Sequence, residues 1–185
     1  MAHSEQQQFC ESVRALFPDM FKNKTVLDVG SLDINGNKRY LFTDCLYTGL
    51  DIGPGPNVDV VSPVHLFKPP FKYDVVICCE MLEHDRYWRE SLKAMYKLLK
   101  PGGLLVLTAA SLDRQPHGVE TRHPEASPFT NDYYMNINKI HIFEVFKYKL
   151  NRYFKDWKIS LNYDSNDIYM YGIKEKQSIF NTLFK

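Results

Sequence analysis

Tyr73-Asp74-Val75-Val76-Ile77-Cys78-Cys79-Glu80-Met81-Leu82-Glu83-His84 is the stretch that decides the fold. Its first seven residues form an apolar run broken only by Asp74, with β-branched side chains at its centre. Such a run suits a strand covered on both faces, which is the condition of a parallel sheet. The switch to acids and a histidine after Cys79 marks the strand's carboxyl end. Upstream, Thr25 to Val29 reads as a buried strand ending in Gly30, Leu46 to Leu50 as a second ending at Asp51, and Val58 to Val61 as a short third. Before them, Phe9, Val13 and Leu16 recur at helical spacing over residues 5–17, with Pro18 as a stop.

Downstream, Leu92, Met95, Leu98 and Leu99 form one stripe of a helix over 87–100. Pro101-Gly102-Gly103 breaks it and feeds a fifth strand, Leu104 to Thr108. A loop of roughly 25 residues follows, longer than a connection needs, and such loops often carry function. Ile137, Ile140, Phe146 and Leu150 predict a helix near 137–150. Strands at about 157–163 and 167–173 then flank Asp164-Ser165-Asn166-Asp167, a hairpin turn. The expected architecture is α/β, with a mostly parallel sheet and right-handed crossovers, and a terminal hairpin that adds an antiparallel strand at one edge. Ligands of such sheets bind beyond the carboxyl ends of the strands, where Gly30, Asp51, Cys79 and Glu80 all fall.

Composition narrows the class. The chain has 185 residues, enough for one domain, and 23 Lys and Arg against 22 Asp and Glu give a net charge of +1. That balance argues against a general nucleic-acid binder. The longest nearly apolar run, Leu104 to Ala110, is far short of a membrane span. Residues 1–8 have neither the basic head nor the apolar stretch of a signal peptide. Four cysteines, two adjacent at Cys78 and Cys79, form no disulfide framework or CxxC metal spacing, so a reducing, cytoplasmic setting is expected.

Asp28-Val29-Gly30-Ser31 and, about 20 residues on, Asp51 mark a ligand site. A turn glycine lets backbone amides approach a ligand, and a carboxylate ending the next strand can accept both hydroxyls of a ribose. The pair favours an adenosine-containing ligand, and the turn lacks the G-x-G-x-x-G of a dinucleotide site.

Val26-Leu27-Asp28-Val29-Gly30, Tyr47-Thr48-Gly49-Leu50-Asp51, the stretch from Tyr73 to His84, and above all Leu98-Leu99-Lys100-Pro101-Gly102-Gly103-Leu104-Leu105-Val106-Leu107 together resemble a class I S-adenosylmethionine-dependent methyltransferase. The resemblance spans about residues 24–110. It implies a Rossmann-like seven-stranded sheet with helices on both faces, in a single domain. That domain divides into an N-terminal helix (1–22), a cofactor-binding core (24–110), an acceptor loop (110–136), and a last helix and hairpin (137–176). It places Asp28 and Gly30 by the methionine part of S-adenosylmethionine, Asp51 on the ribose, Ile52 on the adenine and Ser62 to Val64 at the base edge. Cys79 and Glu80 would border the sulfonium. The family's further turn glycines stand here as Leu32 and Ile34, so Ser31, Asn35 and Gly36 are expected to supply those contacts.

Glu80, Glu83 and His84 sit at i, i+3 and i+4 and would share one face of a helical turn. Two carboxylates and an imidazole suit a divalent ion such as Mg²⁺, Mn²⁺ or Zn²⁺. The E-x-x-E-H pattern resembles metal-dependent O-methyltransferases of the ubiquinone pathway and of small-RNA 3′ ends, in which a later histidine completes the site; His117 and His123 are the candidates. The shorter Leu82-Glu83-His84 after this strand is also frequent in methyltransferases that use no metal, where the glutamate and histidine serve packing and hydrogen bonding. Methyl transfer needs the acceptor held in line, and a hydroxyl acceptor needs help losing its proton. His84 or His117 is expected near the methyl, with Glu83 orienting or ligating.

For the acceptor, "GSLDINGN", "GLDIGPGPNVDVV" and "HPEASPFTNDYY" are similar to methyltransferases found beside glycan-assembly enzymes, some fused to glycosyltransferases. That implies a sugar hydroxyl of a glycan or glycoconjugate, and a place in a larger glycan-assembly polypeptide or complex. Glu120, Arg122, Asn131 and Asp132 would bond its hydroxyls, with Tyr133 and Tyr134 stacking on its face. The alternatives are an RNA 3′-end 2′-O-methyltransferase and a phenol-type O-methyltransferase. Residues 138–185 hold nine Lys and Arg against five Asp and Glu, with eleven aromatics, which favours RNA; the net −3 of residues 1–137 offsets it. A non-catalytic cofactor-binding subunit is the third class, and the presence of Asp51 and Glu80 argues against it. Ile179, Phe180 and Phe184 would cap the fold or meet a partner.

Overall fold

A computed structural model describes residues 4–130 and 132–176; the C-terminal apolar residues 179, 180 and 184 lie outside them. Among the described residues the chain runs α1 (Ser4–Leu16), β1 (Thr25–Val29), β2 (Leu46–Asp51), β3 (Val60–Val61), β4 (Tyr73–Cys79), α2 (Trp88–Leu98), β5 (Leu99–Ala110), α3 (Lys139–Val145), α4 (Leu150–Tyr153), β6 (Phe154–Asn162) and β7 (Asp167–Lys174). They build a seven-stranded sheet in the order β3-β2-β1-β4-β5-β7-β6. The first five strands are mutually parallel, as continuous apolar β4 and β5 require.

Alternation along the strands sorts two cores. Val26, Val75, Ile77, Leu104 and Val106 face α1, which contributes Cys10 and Val13. Leu27, Val29, Val76, Cys78, Leu105 and Leu107 face the other way, under Trp88, Leu92 and Met95 of α2 and Ile142 of α3. Helices therefore flank both faces. The crossovers from β1 to β4 hold only a 3-10 turn, Arg39–Leu41, whose Leu41 enters the α1-side core.

The terminal hairpin joins the sheet beyond β5 as expected, with β7 antiparallel between β5 and β6 and the edge strand β6 parallel to β5. Burial decides which of the two lies inside: seven of the eight β7 residues are buried, whereas β6 exposes Lys155, Asp156 and Lys158. A bulge between Lys155 and Lys158 further blunts that edge. Two expectations are corrected. First, β5 begins at Leu99, before the Pro-Gly-Gly. Leu99 pairs with Tyr73 and Leu104 with Val75, so Lys100 to Gly103 bulge out of the ladder through Gly102 at φ +80°. Second, the helix expected over 137–150 is two helices. After Val145 the backbone turns left-handed at Lys147 and Tyr148 (φ +51° and +56°), which lets Ile142, Phe146 and Leu150 enter one core.

Candidate functional site

The carboxyl ends of β1, β2 and β4 border a cavity of about 510 Å³, and Asp28, Gly30, Ser31, Asn35, Asp51, Ile52, Ser62, Cys79 and Glu80 all line it. At the end of β1, Asp28 is buried and accepts a hydrogen bond from the Tyr47 hydroxyl at 2.6 Å. Burial pushes its carboxyl up to about 6, against the pull of Tyr47 and Lys38. Gly30 follows at φ +78°, and a Cβ there would stand 2.6 Å from Met81 Cβ, so only glycine fits this turn. Both Gly30 and Ser31 amides donate to the Leu50 carbonyl (2.9 and 3.2 Å), which locks the loop to β2.

Asp51 ends β2 with its carboxylate held from two sides. Oδ2 accepts from the Leu32 amide at 3.0 Å and Oδ1 from the Gly53 amide at 3.1 Å. Each oxygen keeps a further lone pair for a ligand hydroxyl. Leu32, standing where a glycine is usual, thus serves through its backbone. Ile52 is 43% exposed at the cavity wall, Asn35 is exposed, and the Ser62 amide donates to the Asp51 carbonyl at 2.8 Å.

Glu80 departs from the expected helical face. Its backbone is left-handed (φ +54°), and only Leu82–His84 forms a 3-10 turn. Glu80 therefore faces the cavity, while Glu83 lies fully buried with its Oε1 accepting from the Ala110 amide at 3.2 Å. Neither Glu80 oxygen has a hydrogen-bond partner of ordinary geometry, and burial with the neighbouring Glu83 pushes its carboxyl up.

Glu83, His84 and His117 do converge, each offering a ligand atom within 4.8 Å of the others. His117 arrives from the long loop. Its Nδ1 donates to the Gln115 carbonyl at 3.2 Å, which leaves Nε2 with a lone pair and no partner. Glu83 Oε2 and His84 Nδ1 are likewise buried and unpartnered. Burial holds both imidazoles down to about 4, so they are neutral at pH 7. Three buried lone pairs without donors are costly unless something electrophilic joins them. The residues present thus fit a divalent cation. Glu80 and His123 stand outside this group; His123 is left-handed (φ +51°) and its exposed side chain pairs with Glu125 at 3.2 Å.

Of the loop's other expected contacts, Asp132 is taken up internally, accepting from the Glu120 amide, while Glu120 and Arg122 stay exposed with the Arg122 backbone paired to Val119. Tyr134 packs edge-on to both His84 and His117 (5.4 and 5.2 Å), and Tyr133 lies under Arg86. Residue 131 lies outside the described residues. Sequence reasoning missed Gln6, Lys38, Tyr87 and Phe129, which also line the cavity. Gln6 was legible only as a polar residue on the buried side of α1; Phe129 had no local signal.

The methyltransferase domain family matches residues 1–164, and the chain belongs to that family. Among curated relatives, a ubiquinone biosynthesis O-methyltransferase of Pseudomonas savastanoi pv. phaseolicola is 29% identical over 111 residues, covering 50% of this chain and 46% of its own length. One from Klebsiella pneumoniae is 35% identical over 96 residues, 43% of this chain and 40% of that protein. The chain thus matches less than half the length of these relatives. In fold it is similar to Burkholderia thailandensis 1,6-didemethyltoxoflavin-N1-methyltransferase, solved with S-adenosylhomocysteine (TM-score 0.64, 14% identity, 94% of this chain and 79% of that one). It is also similar to N-methyltransferase NodS of Bradyrhizobium japonicum (TM-score 0.60, 13% identity, 93% and 88%).

Proposed function

We propose that this methyltransferase domain transfers the methyl group of S-adenosylmethionine to a hydroxyl oxygen, with Glu83, His84 and His117 holding a divalent cation, Mg²⁺ or Mn²⁺, beside the cofactor. The observation that carries the reading is the meeting of two features at His84, which lines the cavity and also belongs to the unpartnered cluster. Asp51, braced by two amides, holds the ribose hydroxyls. Asp28 and the Gly30 turn take the methionine end, and Ile52 packs on the adenine. A bound cation lowers the pKa of a coordinated hydroxyl and orients it. With both imidazoles neutral through burial, the histidines act as lone-pair donors, and a base role for either is the weaker reading.

The acceptor the geometry supports best is a phenol-type hydroxyl. Ile52, Leu66, Tyr87 and Phe129 expose apolar surface at the cavity rim (43%, 63%, 54% and 54%), and the matched relatives act in ubiquinone biosynthesis by name. A sugar hydroxyl of a glycan is the second reading, favoured by the sequence of the 117–134 loop, although Asp132, Tyr133 and Tyr134 are engaged within the protein.

The test is labelled-methyl transfer from S-adenosylmethionine to catechols, simple glycosides and an RNA oligonucleotide, each with and without chelator. Transfer to a phenol that stops on chelation is the expected result. Transfer to glycosides promotes the second reading, and transfer to RNA alone overturns both. Chelator-insensitive transfer removes the cation.

A further inference from the structure

We infer that Phe129 is a positioning residue that ties the cavity to the Glu83–His84–His117 cluster; the role rests on reading that cavity as the cofactor's. Phe129 has φ +72°, a conformation that costs a bulky side chain free energy. Burial does not explain the strain, because the residue stays 54% exposed. Its ring lies directly on Gly53: a Cβ built there would stand 2.0 Å from the ring's Cδ2 and 2.3 Å from Cε2. Gly53 is the residue whose amide braces Asp51 at 3.1 Å.

Two residues before the ring, the same loop meets the cluster. Gly118, which follows His117, sits at φ +63°, and a Cβ on it would be 2.5 Å from Ser127 Cβ and 2.8 Å from His84 Cε1. The segment between is short and internally bonded, with the Thr130 hydroxyl donating to the Ser127 carbonyl at 2.9 Å and the Ser127 amide to the Pro124 carbonyl at 3.4 Å. The contacts therefore run from Asp51 through Gly53 to Phe129, and from Ser127 through Gly118 to His84. Glycine stands at both ends because neither contact leaves room for a methyl. A shift of the ring is passed to the histidine, so the cofactor's ribose anchor and the reacting end of the site are held in one register.

The test is a double-mutant cycle read by amide hydrogen exchange on the full chain. Gly53→Ala displaces the ring and Phe129→Ala removes it; each is expected to speed exchange in peptides over 117–130 by about tenfold. The double variant is expected to be no faster than Phe129→Ala alone, because both changes break one contact. Phe129→Tyr, which keeps the ring, retains wild-type exchange. Added S-adenosylhomocysteine slows exchange at 117–119 in the wild type but not in Phe129→Ala. Unchanged exchange at 117–119 in the single variants, or rates that add in the double, would overturn the inference. Failure of S-adenosylhomocysteine to bind the wild type would overturn the cofactor reading and with it the role. The ligand-free cycle, read separately, then decides whether the contact path itself exists.

Discussion

Asp28 shows how burial at one residue sets the pH at which it carries charge. Its carboxyl, pushed up to about 6, is ionised above that pH and neutral below it. If it faces the cofactor's ammonium group, the ionised form is the one that binds. Affinity for S-adenosylhomocysteine should therefore be level from pH 8 to 7 and weaken as pH falls through about 6, measured by calorimetry; affinity flat down to pH 5 would remove Asp28 from the contact. Asp51 is held in place by its two backbone partners. Asp51→Ala should weaken S-adenosylhomocysteine binding by roughly 10- to 100-fold, the loss of hydrogen bonds to a charged acceptor. Far-UV circular dichroism of the variant should match the wild type. His84→Ala should lower turnover far more than it lowers cofactor affinity; equal losses in both would place it with the cofactor alone.

Among the elements, α3 carries a local defect that is correctable. It ends with the Tyr148 amide bonded to the Phe143 carbonyl at 2.7 Å and the Lys147 amide to the Glu144 carbonyl at 3.0 Å, the pattern of a helix closed by a left-handed residue. Glycine is the usual occupant, and here lysine pays the steric cost. Lys147→Gly should stabilise the fold by about 1 kcal/mol, a rise of roughly 2–4 °C in the melting midpoint. No change would mean that the exposed Lys147 side chain contributes as much as the strain costs. This defect explains why periodicity predicted one helix over 137–150: Ile142, Phe146 and Leu150 keep helical spacing, but two non-glycine residues adopt a conformation that composition does not announce. The β5 start was hidden in the same way, since Pro101-Gly102-Gly103 signals a break and the chain uses it as a bulge inside a strand. By contrast, β1 and β4 were legible to within a residue because buried parallel strands have no polar alternative. The site divides likewise. Residues at strand ends were readable from the strands, whereas the separation of Glu80 from Glu83 and His84 turned on one left-handed residue. Phe129 reached the cavity from 76 positions beyond Gly53, a contact no local pattern encodes.

At the scale of the whole molecule, the long loop is fastened at both ends. The Ile137 amide donates to the Ala110 carbonyl and the Met135 amide to the Glu83 carbonyl, both at 2.8 Å, while His117, in the loop's first third, sits against His84. A cation on Glu83, His84 and His117 would join that part of the loop to the turn after β4. Chelation should then lower the melting midpoint and open the 112–136 segment to proteolysis, with S-adenosylhomocysteine binding less affected; a midpoint indifferent to chelator would speak against the ion. No helix among the described residues is long and apolar enough to cross a membrane. The interior position of β7 has a consequence for how the protein is made. The strand that fills the gap between β5 and β6 follows both of them in chain order. Until residue 174 emerges, β5 presents a long, greasy, unmated flank, and β6 has nothing in register to hold it. Assembly of the sheet is thus postponed until β7 is made, and a nascent chain cut short before that point is a ready substrate for chaperones or for clumping.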